Sequence, residues 1–217
     1  MTLAIFDLDN TLLAGDSDYL WGQYLIEKGV VDSIQYEQAN DLFYEQYKKG
    51  TLDIMEFLEF ALRPLAANSI EQLQQWHKEF MQNKIDSIML PRAQALIEEH
   101  RQRGDILMII TATNRFVTQG IADKLGIPHL LATEPELVGS AYTGKVAGTP
   151  CFQHGKVERL QQWLNDNNET LADSWFYSDS HNDLPLLKLV THPIAVDADE
   201  QLTEYAKQHD WKHISLR

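Results

Sequence analysis

The segment Leu3-Ala4-Ile5-Phe6-Asp7-Leu8-Asp9-Asn10-Thr11 places a short apolar run directly before two carboxylates. An unbroken apolar run of this kind is typical of a strand that is buried on both faces of a parallel sheet. Two later runs, 106–110 and 174–178, lead in the same way to a small polar or an acidic residue, Thr111 and Asp179. Because ligands of open α/β sheets bind beyond the carboxyl ends of the strands, the three strand ends predict one shared site.

The chain from about residue 89 onward alternates between apolar runs and helical patterns. Residues 91–103 begin with proline, carry apolar side chains on one side and end before a glycine, and residues 115–125 and 154–167 have the same character. This alternation predicts parallel strands joined by right-handed crossovers. Residues 133–148 contain glycines around short β-prone pieces, which favours a hairpin.

The stretch from residue 15 to residue 88 differs, because it contains no convincing strand. Its amphipathic segments predict helices at residues 17–29, 33–49, 53–66 and 69–84. We therefore expect an α/β fold with two parts. Residues 1–14 and 89–217 would form a three-layer α/β/α Rossmann-like core with a parallel sheet, and residues 15–88 would form an inserted, all-helical cap subdomain.

The composition narrows the class of partner and the compartment. The 217 residues include 18 Lys+Arg and 32 Asp+Glu, which gives a formal net charge of −14. Nucleic acids and anionic lipids attract basic surfaces, so we expect no nucleic-acid partner and no membrane partner. The single cysteine, Cys151, excludes an intrachain disulfide and a cysteine-cluster zinc site. With no apolar run of membrane-spanning length and no signal-peptide pattern at the start, the sequence predicts a cytoplasmic protein.

The pair Asp7 and Asp9 is the densest chemical signal in the sequence. Two carboxylates this close together repel each other, and a hard cation such as Mg²⁺ relieves the repulsion. The same residues also suit an Asx turn after a strand, with Asp9 or Asn10 capping the next helix. The pair alone leaves both interpretations open.

Three further pieces of sequence belong to the same predicted sheet edge. Asp179 and Asp183 follow a strand and would meet the first pair there, although Asp183 also suits the N-cap of a following helix. Thr111 ends the second strand, where it also suits an ordinary strand-end threonine with no role in a site. Lys156 begins a helix, where most lysines are solvated surface residues.

The order of these pieces carries more information than any one of them. An Asp-x-Asp-x-Thr motif, then Thr111, then Lys156, then Asp179-x-x-x-Asp183 resembles the haloacid dehalogenase superfamily of phosphohydrolases. More narrowly, the chain is similar to the phosphoserine-phosphatase-like branch, which carries a helical cap between its first and second motifs. The resemblance covers essentially the whole chain. It implies an Mg²⁺-dependent phosphomonoester phosphatase that works through an aspartyl-phosphate.

The resemblance also implies a role for each motif residue. Asp7 would be the nucleophile, and Asp9 the general acid and then the general base. Thr111 would hydrogen-bond a phosphoryl oxygen, and Lys156 would neutralise the charge that develops there. The implied Mg²⁺ ligands are Asp7, Asp179, the backbone carbonyl of Asp9, and Asp183 either directly or through water or Lys156.

Substrate selection is expected to involve the cap, which would close over the site and admit only a small phosphorylated metabolite. Asp16 lies where phosphoserine phosphatases carry an acid for the substrate amino group, although it equally suits a helix N-cap. Arg63 lies near the cap region that holds an arginine for the substrate carboxylate, although it also suits an exposed arginine at the end of a helix. Ala112-Thr113-Asn114-Arg115 replaces the glycine pair that is common in that family, so Asn114 or Arg115 is a candidate substrate contact. Histidinol phosphate therefore ranks slightly ahead of phosphoserine.

Two other functions stay open at this point. A phosphotransferase would use the same intermediate and pass the phosphoryl group to an alcohol. A receiver-like phosphorylatable module also combines strand-end aspartates, a threonine and a lysine, but it lacks the motif with two aspartates and has no helical insert of this size. The expected partner is a small-molecule phosphomonoester, and a homodimer is left open.

Overall fold

The computed structural model describes residues 2–217, so Met1 of the predicted segment 1–14 lies outside the described residues. The strands, in chain order, are β1 (Leu3–Phe6), β2 (Ile106–Asn114), β3 (His129–Thr133), β4 (Pro135–Val138), β5 (Ala141–Val146), β6 (Trp175–Ser178), β7 (His192–Val196) and β8 (Lys212–Ile214). The helices are α1 (Ser17–Glu27), α2 (Ser33–Lys48), α3 (Ile54–Ala66), α4 (Ile70–Phe80), α5 (Pro91–Arg103), α6 (Arg115–Leu125), α7 (His154–Asn167), α8 (Leu184–Leu187) and α9 (Glu200–Gln208). Shorter turns of helix lie at Met81–Ile85, Asp86–Ile88 and His181–Asp183.

Six strands form one parallel sheet in the order β3-β2-β1-β6-β7-β8. From β1 the chain proceeds to β2 and β3 on one side, and later to β6, β7 and β8 on the other. The strand order therefore reverses at β1, and a crevice at such a reversal is where open α/β sheets bind ligands.

The two faces of the sheet are covered by different helices. Leu3 and Ile5 of β1 join an apolar cluster with residues of α7, α8 and α9, whereas Ala4 and Phe6 join a cluster with residues of α5 and α6. Alternate residues of a strand point to opposite faces, so this continuous apolar run serves both layers. The predicted three-layer α/β/α core with a parallel sheet is confirmed.

The second strand is longer than the sequence suggested. The sequence predicts that it ends at Thr111, but β2 runs to Asn114, with a break in its pairing register to β3 between Ile110 and Asn114. On its other side the register to β1 stops at the pair Phe6 and Ile109. Residues 111–114 therefore extend past the end of β1, toward the segment that follows it.

Four helices, α1 to α4, occupy the region between β1 and α5, as the amphipathic pattern predicted. Leu13 forms a bridge with Met89 where this region leaves and rejoins the sheet. Side chains of α1 and α4 belong to the same apolar cluster as α6, whereas α3 packs against the hairpin of β4 and β5. Among residues 2–217, no helix combines the length and apolar character that crossing a membrane requires.

Candidate active site

Two carboxylates meet at the reversal point of the sheet. Asp7 follows β1 and Asp179 follows β6, and the backbone N–H of Asp7 donates to the carbonyl of Tyr177 at 2.9 Å. The Thr11 hydroxyl lies 3.1 Å from Asp179 Oδ1 and 3.3 Å from Asp7 Oδ2. The first and last motifs, which are 168 residues apart in sequence, therefore share one hydroxyl group.

Lys156 is the cation of this group. Its Nζ lies 2.8 Å from Asp7 Oδ1 and 2.8 Å from Asp183 Oδ2, and its side chain is 3% exposed. Burial lowers the pKa of Lys156, but the charges of Asp183 and Asp7 outweigh it and hold the pKa above its usual value. Asp183 also accepts a hydrogen bond from the Ser178 hydroxyl at 2.7 Å. Lys156 is thus a buried, charged partner of both carboxylates and not a solvated surface lysine.

The start of α7 holds Lys156 in place through a tight turn. A Cβ added to Gly155 would lie 2.0 Å from the carbonyl oxygen of Pro150, which leaves no room for any side chain there. Gln153, just before the helix, adopts a φ of 48°, a strained value for a residue other than glycine. Its amide donates to Asn182 Oδ1 at 2.9 Å, which ties this turn to the segment after β6.

Asp9 is held by both of its carboxylate oxygens. Oδ1 accepts from the backbone N–H of Ser17 at 2.6 Å, and Oδ2 accepts from the Thr113 hydroxyl at 2.8 Å. Thr111 lies at 3.5 Å from the same Oδ2. Burial raises the pKa of Asp9 to about 6, and the charge of Asp16 adds to the rise while these hydrogen bonds oppose it. A carboxyl group with such a pKa can give and take a proton near neutral pH.

The carboxylates of Asp7 and Asp179 fit a hard cation. Burial raises the pKa of Asp7 to about 7, against the pull of Lys156, and burial with the charge of Asp7 raises the pKa of Asp179 well above its usual value. A divalent ion with oxygen ligands relieves both effects. Among residues 2–217, no group of three His, Cys, Asp or Glu side chains is arranged to hold a metal alone. The ion would therefore need the Asp9 carbonyl, waters and a phosphate as further ligands.

A cavity lies above these groups, with about 610 Å³ of empty space when the solvent at its open mouth is counted. The catalytic floor, as we name it, comprises Asp7, Asp9 and Thr111, which line the cavity, and Lys156, Asp179 and Asp183, which join Asp7 through Lys156 and Thr11 without lining the cavity. Its cap wall, as we name it, comprises Asp16, Asp18, Tyr19, Asn40, Phe43, Tyr44, Tyr47, Leu52, Ile54 and Phe57. Among the described residues that line the cavity, none is a lysine, an arginine or a histidine. The cap wall is therefore acidic and aromatic.

A family comparison agrees with this geometry. The family model described as haloacid dehalogenase-like hydrolase matches residues 4–188. The chain belongs to the haloacid dehalogenase-like hydrolases. The predicted resemblance is confirmed, and so is the predicted class of enzyme, a phosphatase, because several relatives of this hydrolase are phosphatases.

Several relatives and solved structures match this chain over nearly its whole length. A histidinol-phosphatase of Neisseria meningitidis serogroup C (strain 8013) is 44% identical over 99% of both chains. The phosphoserine phosphatase SerB1 of Mycobacterium tuberculosis (strain ATCC 25618 / H37Rv) is 27% identical over 99% of this chain and 70% of its own. A protein of unknown function from Bordetella pertussis Tohama I has a TM-score of 0.94 at 43% identity over 100% of both chains. A phospho-aspartyl intermediate analogue of phosphoserine phosphatase, with a TM-score of 0.73 at 20% identity over 100% of this chain and 93% of its own, shares the fold.

Most of the sequence-predicted site residues lie close together in the folded chain, but not all of them do. Asp16 caps α1, accepting from the N–H groups of Asp18 and Tyr19, so its N-cap role is confirmed. It also lines the cavity, and its contact with a substrate amino group stays a prediction. Asn114 caps α6 by accepting from the N–H of Val117 at 3.2 Å, and its amide faces Asp18. Asp183 contacts Lys156 and Ser178, and its role toward the cation, direct or through Lys156, stays a prediction.

Two predicted substrate contacts lie elsewhere. Arg63 is on the outer side of α3, where its side chain is 69% exposed and lies 3.5 Å from Glu59 one turn away. It faces other surface clefts and not the cavity, because the helix turns its apolar residues inward against the hairpin. Arg115 points away from the cavity and pairs with Glu134 at 2.8 Å.

Sequence reasoning missed three residues of the site. In the sequence, Thr113 stands out only as a replacement for glycine, and its bond to Asp9 depends on the extension of β2. The only sequence signal for Asp18 is its spacing of two from Asp16, which places both at the start of α1. Tyr47 lines the cavity, and its carbonyl accepts from Asn182 Nδ2 at 3.0 Å, which links the end of α2 to the core.

Proposed function

We propose that this hydrolase is an Mg²⁺-dependent phosphomonoester phosphatase whose substrate is a small metabolite that carries a cation and no carboxylate. The observation that carries the proposal is the cavity: nucleophile and acid lie on its floor, and two carboxylates without a lining cation lie on its wall. A substrate carboxylate would find no positively charged partner there. Histidinol phosphate meets this requirement, whereas phosphoserine does not.

The residues of the catalytic floor account for both halves of the reaction. A carboxylate oxygen of Asp7 attacks phosphorus as the bond from phosphorus to the substrate oxygen breaks, and Asp9 gives its proton to the leaving oxygen. Asp9 then takes a proton from water, which attacks phosphorus, releases inorganic phosphate and restores Asp7. Lys156 stabilises the charge on the phosphoryl oxygens. Mg²⁺, held by Asp7, Asp179 and the Asp9 carbonyl, would supply electrostatic stabilisation and orient the phosphate.

The cap would set the size of the substrate. We infer that residues 15–88 form the cap and that residues 1–14 and 89–217 form the core, which the bridge from Leu13 to Met89 supports. The bond from Asn182 to the Tyr47 carbonyl and the approach of Gly50 to His181 hold the wall close to the core. A wall in this position favours a metabolite over a phosphoprotein.

The comparisons support the choice between the two metabolites. The relative from Neisseria meningitidis, which is named a histidinol-phosphatase, is 44% identical, and it matches this chain over 99% of its own length. The mycobacterial phosphoserine phosphatase is 27% identical and extends beyond the matched region.

The test is phosphate release from a panel of phosphomonoesters with Mg²⁺ and with EDTA. We expect the highest kcat/KM for histidinol phosphate, a lower value for phosphoserine, and loss of activity in EDTA. Asp7→Asn and Asp9→Asn are each expected to abolish turnover, with the exposed Asp32→Asn as a matched control that keeps it. Retained activity in Asp7→Asn would overturn the mechanism, and a preference for phosphoserine would overturn the substrate.

A further inference from the structure

Asp18 is an acidic residue of the cap wall that the catalytic chemistry does not use. It is the second residue of α1, it lines the cavity, and its Oδ1 is 3.4 Å from Asn114 Nδ2. No lysine, arginine or histidine of the described residues forms an ion pair with it. Capping of α1 does not require Asp18 either, because the side chain of Asp16 already accepts the N–H bonds at this helix end.

The charges around Asp18 create a demand for a cation. Its charged neighbours in the cavity are two other carboxylates, Asp16 and Asp9, and burial together with these neighbours raises the pKa of Asp18 well above its usual value. The dipole of α1 helps a carboxylate at this position, but Asp9, Asp16 and Asp18 are three half-buried carboxylates close together, which favours a cation among them. The proposed Mg²⁺ ligands, Asp7 and Asp179, follow β1 and β6. The ion that they would bind therefore does not neutralise the carboxylates at the start of α1.

Two further features of the cavity point to a flat, nitrogen-bearing group. Aromatic side chains of the wall, among them Tyr19, Tyr44 and Phe57, offer ring faces that attract cations and pack against planar groups. Asn114 has its carbonyl oxygen engaged by the N–H of Val117, so its amide is held toward Asp18. The Asp18 carboxylate is thereby fixed in orientation while keeping lone pairs for a donor in the cavity.

We propose that Asp18, oriented by Asn114, is a specificity-determining residue that binds a second nitrogen group of the substrate, an N–H of a planar ring, while Asp16 binds the aliphatic ammonium. This inference rests on the proposed phosphatase function and deepens it. It assigns to the substrate two nitrogen groups, one for each wall carboxylate, and it distinguishes a ring-bearing amine phosphate from a simple aminoalkyl phosphate.

The test compares two probes, histidinol phosphate, which has both nitrogen groups, and phosphoethanolamine, which has the ammonium alone. We expect Asp18→Asn to lower the ratio of their kcat/KM values about 10- to 100-fold, mainly through KM for histidinol phosphate, as loss of a hydrogen bond to a charged group does. Asp18→Glu keeps the charge and should restore part of the ratio. Asp32→Asn, at the exposed start of α2, is the matched control and should leave the ratio unchanged.

Each outcome has a distinct meaning. A ratio that does not change in Asp18→Asn, or that falls equally in Asp18→Asn and Asp18→Glu, overturns the role of Asp18, because a merely structural residue would lower both rates together. Asp16→Asn, which keeps the helix cap, should instead lower both rates and leave the ratio nearer its wild-type value. If the wild-type protein releases no phosphate from any ester in Mg²⁺, the proposed function itself fails.

Discussion

The catalytic floor and the cap wall meet at one cavity, but their charges are balanced in opposite ways: the floor has its own cation, Lys156, next to the cavity, and the wall has none. On the floor, Lys156 lies within 2.8 Å of two carboxylates, so much of the negative charge is balanced inside the chain. On the wall, Asp16 and Asp18 have no cationic side chain among the described cavity residues. In the proposed function this difference assigns the phosphate to the floor and a substrate cation to the wall.

The largest expected effect breaks the balance of the floor. Lys156→Met removes the cation between two buried carboxylates, so we expect kcat to fall at least about 10²-fold. Unpaired buried charges also cost stability, and the free energy of unfolding should drop by about 3–5 kcal/mol. Steady-state kinetics and urea unfolding measure both quantities. Lys207→Met, on the exposed face of α9, is the control, and a Lys156→Met protein as active as this control would contradict the ion-pair geometry.

A smaller effect is expected when the floor is displaced and its charges are kept. In Gly155→Ala the new Cβ must move away from the Pro150 carbonyl, 2.0 Å distant in the present backbone, and the start of α7 moves with it. We expect a stability loss of about 1–3 kcal/mol. Activity should fall even under conditions in which the variant is fully folded, because Lys156 is the next residue. Gln161→Ala, on the exposed side of the same helix, should change neither quantity, and equal behaviour of the two variants would refute the close approach.

The floor also predicts a pH effect on stability that Mg²⁺ should counteract. The pKa values of Asp7 and Asp9 are raised to about 7 and about 6, so the folded protein binds protons more tightly than the unfolded chain. Stability from these groups is therefore present at low pH and lost as the pH rises from about 4 to about 7. In EDTA, the Tm of the wild-type protein should fall between about pH 4 and about pH 7. This fall should be larger than the fall in the Tm of Asp7→Asn over the same range. The Tm gain from Mg²⁺ should be larger at about pH 8 than at about pH 5, and the reverse order would exclude a site made of these carboxylates.

The floor was the predictable part of the molecule, for a physical reason. Strand ends of a parallel sheet converge, so the apolar run before Asp7 already placed its carboxylate at the edge where Asp179 arrives. The sheet, the α/β alternation and the helices of the inserted region followed from periodicity in the same way. Asp183 was predicted at the site but not its engagement by Ser178, since that contact depends on the turn after β6.

The wall was predicted less well, because helix packing and not strand order determines which side chains it presents. Arg63 was placed at the site by its position in the sequence, but the apolar side of α3 faces the hairpin and turns Arg63 outward. Thr113 reaches Asp9 only because β2 continues beyond the end of β1. No local pattern in a single sequence encodes either arrangement.

The smallest expected effect tests this difference between wall and floor directly. Arg63 makes only an exposed pair with Glu59, 3.5 Å away, and pairs of that kind contribute little. Arg63→Ala should therefore leave Tm unchanged and should keep kcat/KM for histidinol phosphate and phosphoserine within about twofold of wild type. A selective loss of phosphoserine hydrolysis would show that the cap brings Arg63 over the cavity during turnover. The wall would then hold a cation after all, and the argument from its unpaired carboxylates to a substrate without a carboxylate would fail.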